Sequence, residues 1–368
     1  MKTRQITWLL AILLLGACQK GKDKTEYQNP LEVQFGDPFV LLAPDGRYYM
    51  YGTSESGNID GFEACSSDDL VHWTPEGQVY RGNTPDSWAI ANFWAPEVYY
   101  RNGKYYMLFS ADWRYNPTNE AENFRIGVAV SDKPTGPFKE LSDRPLFDPG
   151  YPIIDGNLIE DDQGNLYLYY SRCCYKHPVE SEIADKARAE GKFDEIEESW
   201  IYGIQVKPDL TGAIGEPVLL LRPPVKADDT QSEWESRSVT SGEVNRRWTE
   251  GSFMLKHEGK YYMMYSANFF GGANYAVGYA VSENPLGPFR KADNNPVLQK
   301  NTAQGGIVTG TGHNSVTTSR DGKQLYCVYH GRTSQTGNKR VVFIDKMSIG
   351  EDGVLRVDGP TTSPQTME

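Results

Sequence analysis

Three acids, a tryptophan and a histidine share one offset in this chain: Asp37, Trp94, Asp155, Glu250 and His313 each stand nine residues before a glycine, at 46, 103, 164, 259 and 322, that opens an aromatic-rich run. If those runs are copies of one element, the five residues begin equivalent strands and meet. Carboxyls crowded together and buried are costly, because like charges at close range raise one another's pKa. A fold that keeps three of them has a chemical use for them. Glycosidic-bond hydrolysis needs such an unequal set: one carboxylic acid held protonated for the leaving oxygen, and one ionised carboxylate to activate water or attack the sugar. A metal site is the competing use. His313 is the only imidazole in the set, and the five histidines of the chain show no pair at ligand spacing, which argues against a transition metal and leaves calcium open. Taken singly, each residue has a plain reading: Asp37 and Asp155 precede Pro38 and Gly156 as turn formers do, Trp94 could fill a core, and His313 could be a satisfied core histidine. The common offset is what joins them.

The elements that must position these residues are visible as repeats. Gly103–Ala111 (GKYYMLFSA) matches Gly259–Ala267 (GKYYMMYSA), with looser copies at Gly46–Tyr51, Gly164–Tyr170 and Gly322–Tyr329. Each reads as a glycine turn followed by a strand. Farther along, Gly127–Phe138 (GVAVSDKPTGPF) matches Gly278–Phe289 (GYAVSENPLGPF), and Ala64–Trp73 follows the same plan. The glycines are 57, 61, 95 and 63 residues apart, close to one four-stranded blade each with an insertion in the third. The expected fold is therefore all-β, a five-bladed β-propeller whose first strands line a central channel, closed so that no long sheet edge is left unpaired. Within the insertion, residues 180–196 favour a short surface helix, and the polar stretch 226–247 reads as a rim loop.

Composition narrows the partners. A net charge of −12 leaves no basic surface for nucleic acid or anionic lipid, and a neutral ligand fits better. Twenty-three tyrosines and eight tryptophans supply the flat amphipathic faces on which sugars stack. The N-terminus has Lys2 and Arg4, an apolar run from Ile6 to Leu15 too short to span a bilayer, and then Gly16-Ala17-Cys18. That pattern resembles a lipobox; an ordinary cleavable signal is the alternative. The expectation is a signal peptide over 1–17, a lipidated Cys18 with a flexible tether over 18–30, and a catalytic domain over 31–368, held at the bacterial cell envelope, periplasmic or surface-exposed, with the lipid as its only membrane contact. The other four cysteines show neither metal spacing nor a disulfide framework.

Gly36-Asp37-Pro38, Trp94-Ala95-Pro96-Glu97-Val98, Ile154-Asp155-Gly156, Thr249-Glu250-Gly251 and Gly312-His313-Asn314 together resemble the blade-start motifs of glycoside hydrolase family 43, the arabinanase, arabinofuranosidase and β-xylosidase relatives. The resemblance runs from about Leu31 to the C-terminus. It implies an inverting mechanism with Asp37 as general base, Glu250 as general acid and Asp155 holding and tuning Glu250. It also implies Trp94 as a sugar platform, His313 facing the substrate or a channel calcium through water, and Arg332, in His330-Gly331-Arg332, contacting the sugar. Inversion asks for about 6.5 to 9.5 Å between the Asp37 and Glu250 carboxyls. No cofactor is needed for the chemistry. With the insertion on the rim, a pocket for terminal sugars is expected, hence exo action on arabinofuranosides or xylosides, with endo-arabinanase or exo-galactosidase behind. A non-catalytic glycan-binding propeller is the reading from another class, and it predicts the loss of an acid that this chain retains.

Overall fold

The computed structural model describes residues 25–55, 59–119, 121–176 and 180–367. Strands dominate, and they follow the repeats. Phe35–Leu42, Tyr48–Ser54, Gly61–Ser67 and Thr74–Arg81 form one antiparallel four-stranded sheet in chain order; the strands of 89–140 and of 308–357 form two more. Apart from the short pair Glu26–Tyr27 and Gln365–Thr366, the remaining strands belong to one eight-stranded sheet. It consists of two such meanders, 153–221 and 246–291, fused where Glu197, Glu198 and Ser199 pair in parallel with Arg246, Arg247 and Trp248. The third and fourth units are thus not the separate sheets that the repeats lead one to expect. The strand Glu197–Val206 begins ahead of its hairpin partner, and its free first residues capture the start of the next unit.

The second strands, such as Tyr48–Ser54, Lys104–Trp113 and Lys260–Ala267, run as nearly continuous buried stretches of tyrosine, methionine and other apolar residues because both faces of each sheet pack against neighbours. Tyr27, Val33, Phe35 and Met50 of the first unit share a buried cluster with Tyr326, Val328, Val342 and Ile344 of the fifth. The chain start contributes to it: Glu26–Tyr27 pairs with Gln365–Thr366, and the Asn29 amide donates to the Ile344 carbonyl at 2.9 Å. This corrects the tether expected over 18–30. Its described part, from Thr25 onward, is folded against the fifth unit, because Tyr27 and Asn29 are buried there. The expected signal peptide and Cys18 lie outside the described residues.

The insertion is more ordered than a rim loop. A helix spans Glu182–Ala189, capped by the Ser181 hydroxyl accepting from Ala184 N, and its Ile183, Ala184 and Ala187 pack with Ile196 and Val239. Within 226–247 two short helices, Ser232–Glu235 and Arg237–Thr240, bury Trp234 and Glu235. Arg247 is fully buried and paired with Glu198, while Glu235 takes Lys291 Nζ at 2.6 Å and the Tyr265 hydroxyl at 2.7 Å. Polarity led the sequence reading to a loop; paired charges let these residues go inside.

Candidate active site

Every inner strand carries a β-bulge at the same place. Two residues face one on the partner strand between Gly36 and Phe39, Trp94 and Glu97, Ile154 and Asn157, Glu250 and Phe253, and Gly312 and Ser315. The first extra residue of each bulge has left-handed backbone: Asp37 (φ 53°), Ala95 (48°), Asp155 (61°), Gly251 (57°) and His313 (47°). Asp37, Asp155 and His313 are therefore equivalent, whereas Trp94 and Glu250 stand one residue earlier. The cause is turn length. The hairpins of the second and fourth units close through two residues, Asn102-Gly103 and Glu258-Gly259, all with positive φ, and the other three close through longer loops (Leu42 to Tyr48, Glu160 to Leu166, Thr318 to Leu325). Counting nine back from the glycine thus overshoots the bulge residue by one in two units. All five residues nevertheless line one cavity of about 420 Å³.

Asp37 sits beside a guanidinium and an imidazole. Arg340 Nη1 lies 3.1 and 3.2 Å from its two oxygens, His313 Nδ1 lies 3.3 Å from Oδ1, and the Thr53 hydroxyl donates to Oδ2 at 2.6 Å. Burial alone would raise its pKa, but Arg340 first and His313 after it outweigh burial and hold Asp37 well below the usual carboxylate range. Arg340 reaches it because position 36 is glycine: a Cβ there would fall 2.0 Å from the guanidinium carbon. Glu55, 2.5 Å from Arg340 Nε, fixes the other side of the guanidinium.

Glu250 has the opposite surroundings. It is buried, and that burial together with the Asp155 charge raises its pKa well above the usual value, against a lowering hydrogen bond from the Tyr275 hydroxyl to Oε1 at 3.0 Å. Asp155 is raised by burial and by Asp37, opposed by His313, and its Oδ2 accepts from Gly251 N at 3.2 Å, tying it to the backbone beside Glu250. Together the cavity holds one carboxylate poised to take a proton and one carboxylic acid poised to give one.

Trp94 packs against Phe124, ring centres 4.4 Å apart and planes tilted by 37°, to form one wall. Facing residues that the sequence reading missed form another: Trp248 and Phe270 lie parallel 6.3 Å apart, with Phe269 edge-on to both. Cys173 and Cys174 also line the cavity, as do Arg246 and Glu197 from the ends of the insertion. Arg332 is not among the lining residues; its guanidinium donates to the carbonyls of Asn338 and Phe270, so it braces the aromatic wall from behind. Arg340 reaches the cavity and pairs there with Asp37. Nothing in the repeats marked it, since the other units carry no counterpart. Calcium takes six to eight oxygen ligands. His313 offers a nitrogen already set against Asp37, and among the described residues no group of three or more His, Cys, Asp and Glu could hold an ion, so the donor set does not fit a protein-held calcium.

Residues 27–355 match the family model described as glycosyl hydrolases family 43. A xylosidase/arabinosidase of Bacteroides ovatus is 31% identical over 266 residues, covering 69% of this chain and 75% of that one. A β-D-galactofuranosidase of Aspergillus niger is 29% identical over 340 residues, covering 87% and 81%. Among solved structures, a thermostable family-43 glycoside hydrolase superposes with a TM-score of 0.76 at 39% identity, over 93% of this chain and 98% of that chain.

Proposed function

The chain belongs to glycosyl hydrolase family 43, and from that membership we propose an inverting, exo-acting α-L-arabinofuranosidase or β-xylosidase that removes terminal sugars from plant-type polysaccharide side chains or oligosaccharides. As a family member it hydrolyses O-glycosyl bonds, and a pair of carboxyl groups does this without a cofactor. Asp37 takes a proton from water as the water attacks the anomeric carbon, Glu250 gives its proton to the departing oxygen, and Asp155 keeps Glu250 protonated and oriented. Trp94 provides a platform for the sugar, and His313 orients Asp37. The observation that carries this reading is the opposite displacement of two carboxyl groups within one cavity: Asp37 downward beside Arg340, Glu250 upward beside Asp155.

The five four-stranded units are, in this reading, the blades of a propeller closed around the cavity; the core shared by the first and fifth units supports the closure. The insertion borders the cavity through Glu197 and Arg246, which favours a pocket for chain ends over an open groove. Cys18 carries a lipid that holds the enzyme at the bacterial cell envelope, testable by radiolabelled palmitate incorporation and its loss in Cys18→Ser. The choice of sugar is tested by a panel of aryl α-L-arabinofuranosides, β-D-xylosides and β-D-galactosides, with proton NMR following the anomer first released. Cleavage of a pentoside with inverted product is expected. A retained anomer rejects the roles of Asp37 and Glu250, and binding of oligosaccharide with no cleavage of any glycoside rejects the enzyme as drawn.

A further inference from the structure

In four units, the residue of the second strand that pairs just ahead of the bulge is a hydroxyl: Thr53, Ser110, Ser171 and Ser266. Each accepts the backbone N–H of the bulge residue in the next unit, Thr53 from Ala95 (2.9 Å), Ser110 from Asp155 (3.0 Å), Ser171 from Gly251 (3.3 Å) and Ser266 from His313 (2.7 Å). The fifth unit breaks the rule. The same register position, opposite Gly312, holds His330, whose Nδ1 accepts the N–H of Asp37 at 3.1 Å.

A serine would meet the backbone need, as it does elsewhere. What the imidazole adds is a face. His330 is fully buried and stacks on Tyr275, with ring centres 5.6 Å apart and planes at 12°. Tyr275 is the residue that donates to Glu250, and its ring fills the space over Gly312, where a Cβ would come within 2.2 Å of the ring carbons. A backbone nitrogen can only donate, so His330 Nδ1 is the acceptor and its proton sits on Nε2. Burial lowers the His330 pKa to about 3 despite Asp37, with Arg340 and Arg332 adding to the fall, so the ring stays neutral and the acceptor is kept across the working pH range.

We propose that His330 and Tyr275 are a positioning pair that couples the two catalytic carboxyls, the imidazole fixing Asp37 through its backbone and the stacked phenol fixing Glu250 and its protonation. The inference rests on the roles given to Asp37 and Glu250 above. One rigid stack spanning both groups holds their separation constant, and displacements of the order of 1 Å cost roughly 10²-fold in rate.

The internal repeat supplies the test. His330→Ser installs the acceptor that the other units use and removes only the stack, His330→Ala removes both, and Tyr275→Phe keeps the stack and removes the hydroxyl. Folding is checked by near-ultraviolet circular dichroism and thermal melting. For His330→Ser the expectation is a wild-type fold with kcat lowered roughly tenfold and KM within about twofold, and for His330→Ala a drop of about 10²-fold. Tyr275→Phe removes a donor to the ionised form of Glu250, so Glu250 becomes harder to ionise and the alkaline limb of the kcat/KM profile moves to higher pH, by about half a unit or more. Wild-type kcat in His330→Ser, or an unmoved alkaline limb in Tyr275→Phe, overturns the proposal. If Asp37→Ala and Glu250→Gln both retain activity, the underlying roles fail instead, and the two failures are told apart.

Discussion

Asp37 and Asp155 occupy equivalent bulges on equivalent strands, share the left-handed backbone and lie in one cavity, yet their carboxyls are displaced in opposite directions. Around Asp37 stand Arg340, His313 and His330; around Asp155 stand Glu250, Ser171 and the apolar wall of Ile154 and Cys173. Position along the repeat places a carboxyl in the cavity. The side chains it meets there, which come from first and second strands and, for Arg340, from the edge of a third, decide which way its pKa moves.

The largest test of that contrast removes its two poles. Glu250→Gln and Asp37→Ala should each lower kcat on an unactivated disaccharide by about 10³-fold or more, within the range expected of a lost general acid or base, while Tm stays near that of wild type. Next comes the cation. Arg340→Met leaves Asp37 with burial and a weaker set of partners, so its pKa rises and the acid limb of kcat/KM moves to higher pH, with about a 10²-fold loss expected at the acid end. The same change bears on stability. A folded-state pKa held low favours the fold above the unfolded value and loses that advantage as pH falls, so the variant's stability should depend less on pH in the acid range.

On the other side of the cavity, Asp155→Asn removes the charge that raises Glu250. The alkaline limb should then shift to lower pH by about one unit, roughly a tenfold loss above it; an unmoved limb would mean that burial alone sets Glu250. Phe270→Ala should raise KM roughly tenfold with a smaller change in kcat, since it removes half of an aromatic pair that lines the cavity. The smallest effect extends the comparison to a third acid in the cation-poor region. Glu97 is buried, bonded to Asn157 at 2.9 Å and to Tyr99, and burial pushes its pKa up to about 8. A carboxyl raised on folding stabilises the fold fully below its unfolded pKa and loses that contribution as pH rises through about 8. Glu97→Gln should flatten the decline in urea-unfolding free energy between about pH 5 and pH 8, by up to roughly 1.4 kcal/mol per pH unit.

Much of this was legible in the residues. The glycine-aromatic repeats located the inner hairpins, and Asp37, Asp155, Glu250, Trp94 and His313 were all brought into one cavity. The count that found them was wrong by one residue in two units, because a count cannot tell the two-residue turn at Asn102-Gly103 from the longer loop that ends at Tyr48. Arg332, expected from its motif to contact the sugar, turns to the carbonyls of Asn338 and Phe270.

What the sequence determined by itself was the local part: strand periodicity, turn glycines, and acids at strand starts, all set by interactions a few residues long. Tertiary structure alone decided that Arg340 meets Asp37 from 303 residues away, that Tyr275 reaches Glu250, and that Trp234 and Arg247 go inside. Those choices depend on which strand ends converge, and on charges that are tolerable in the interior only once a partner from a distant segment is already there.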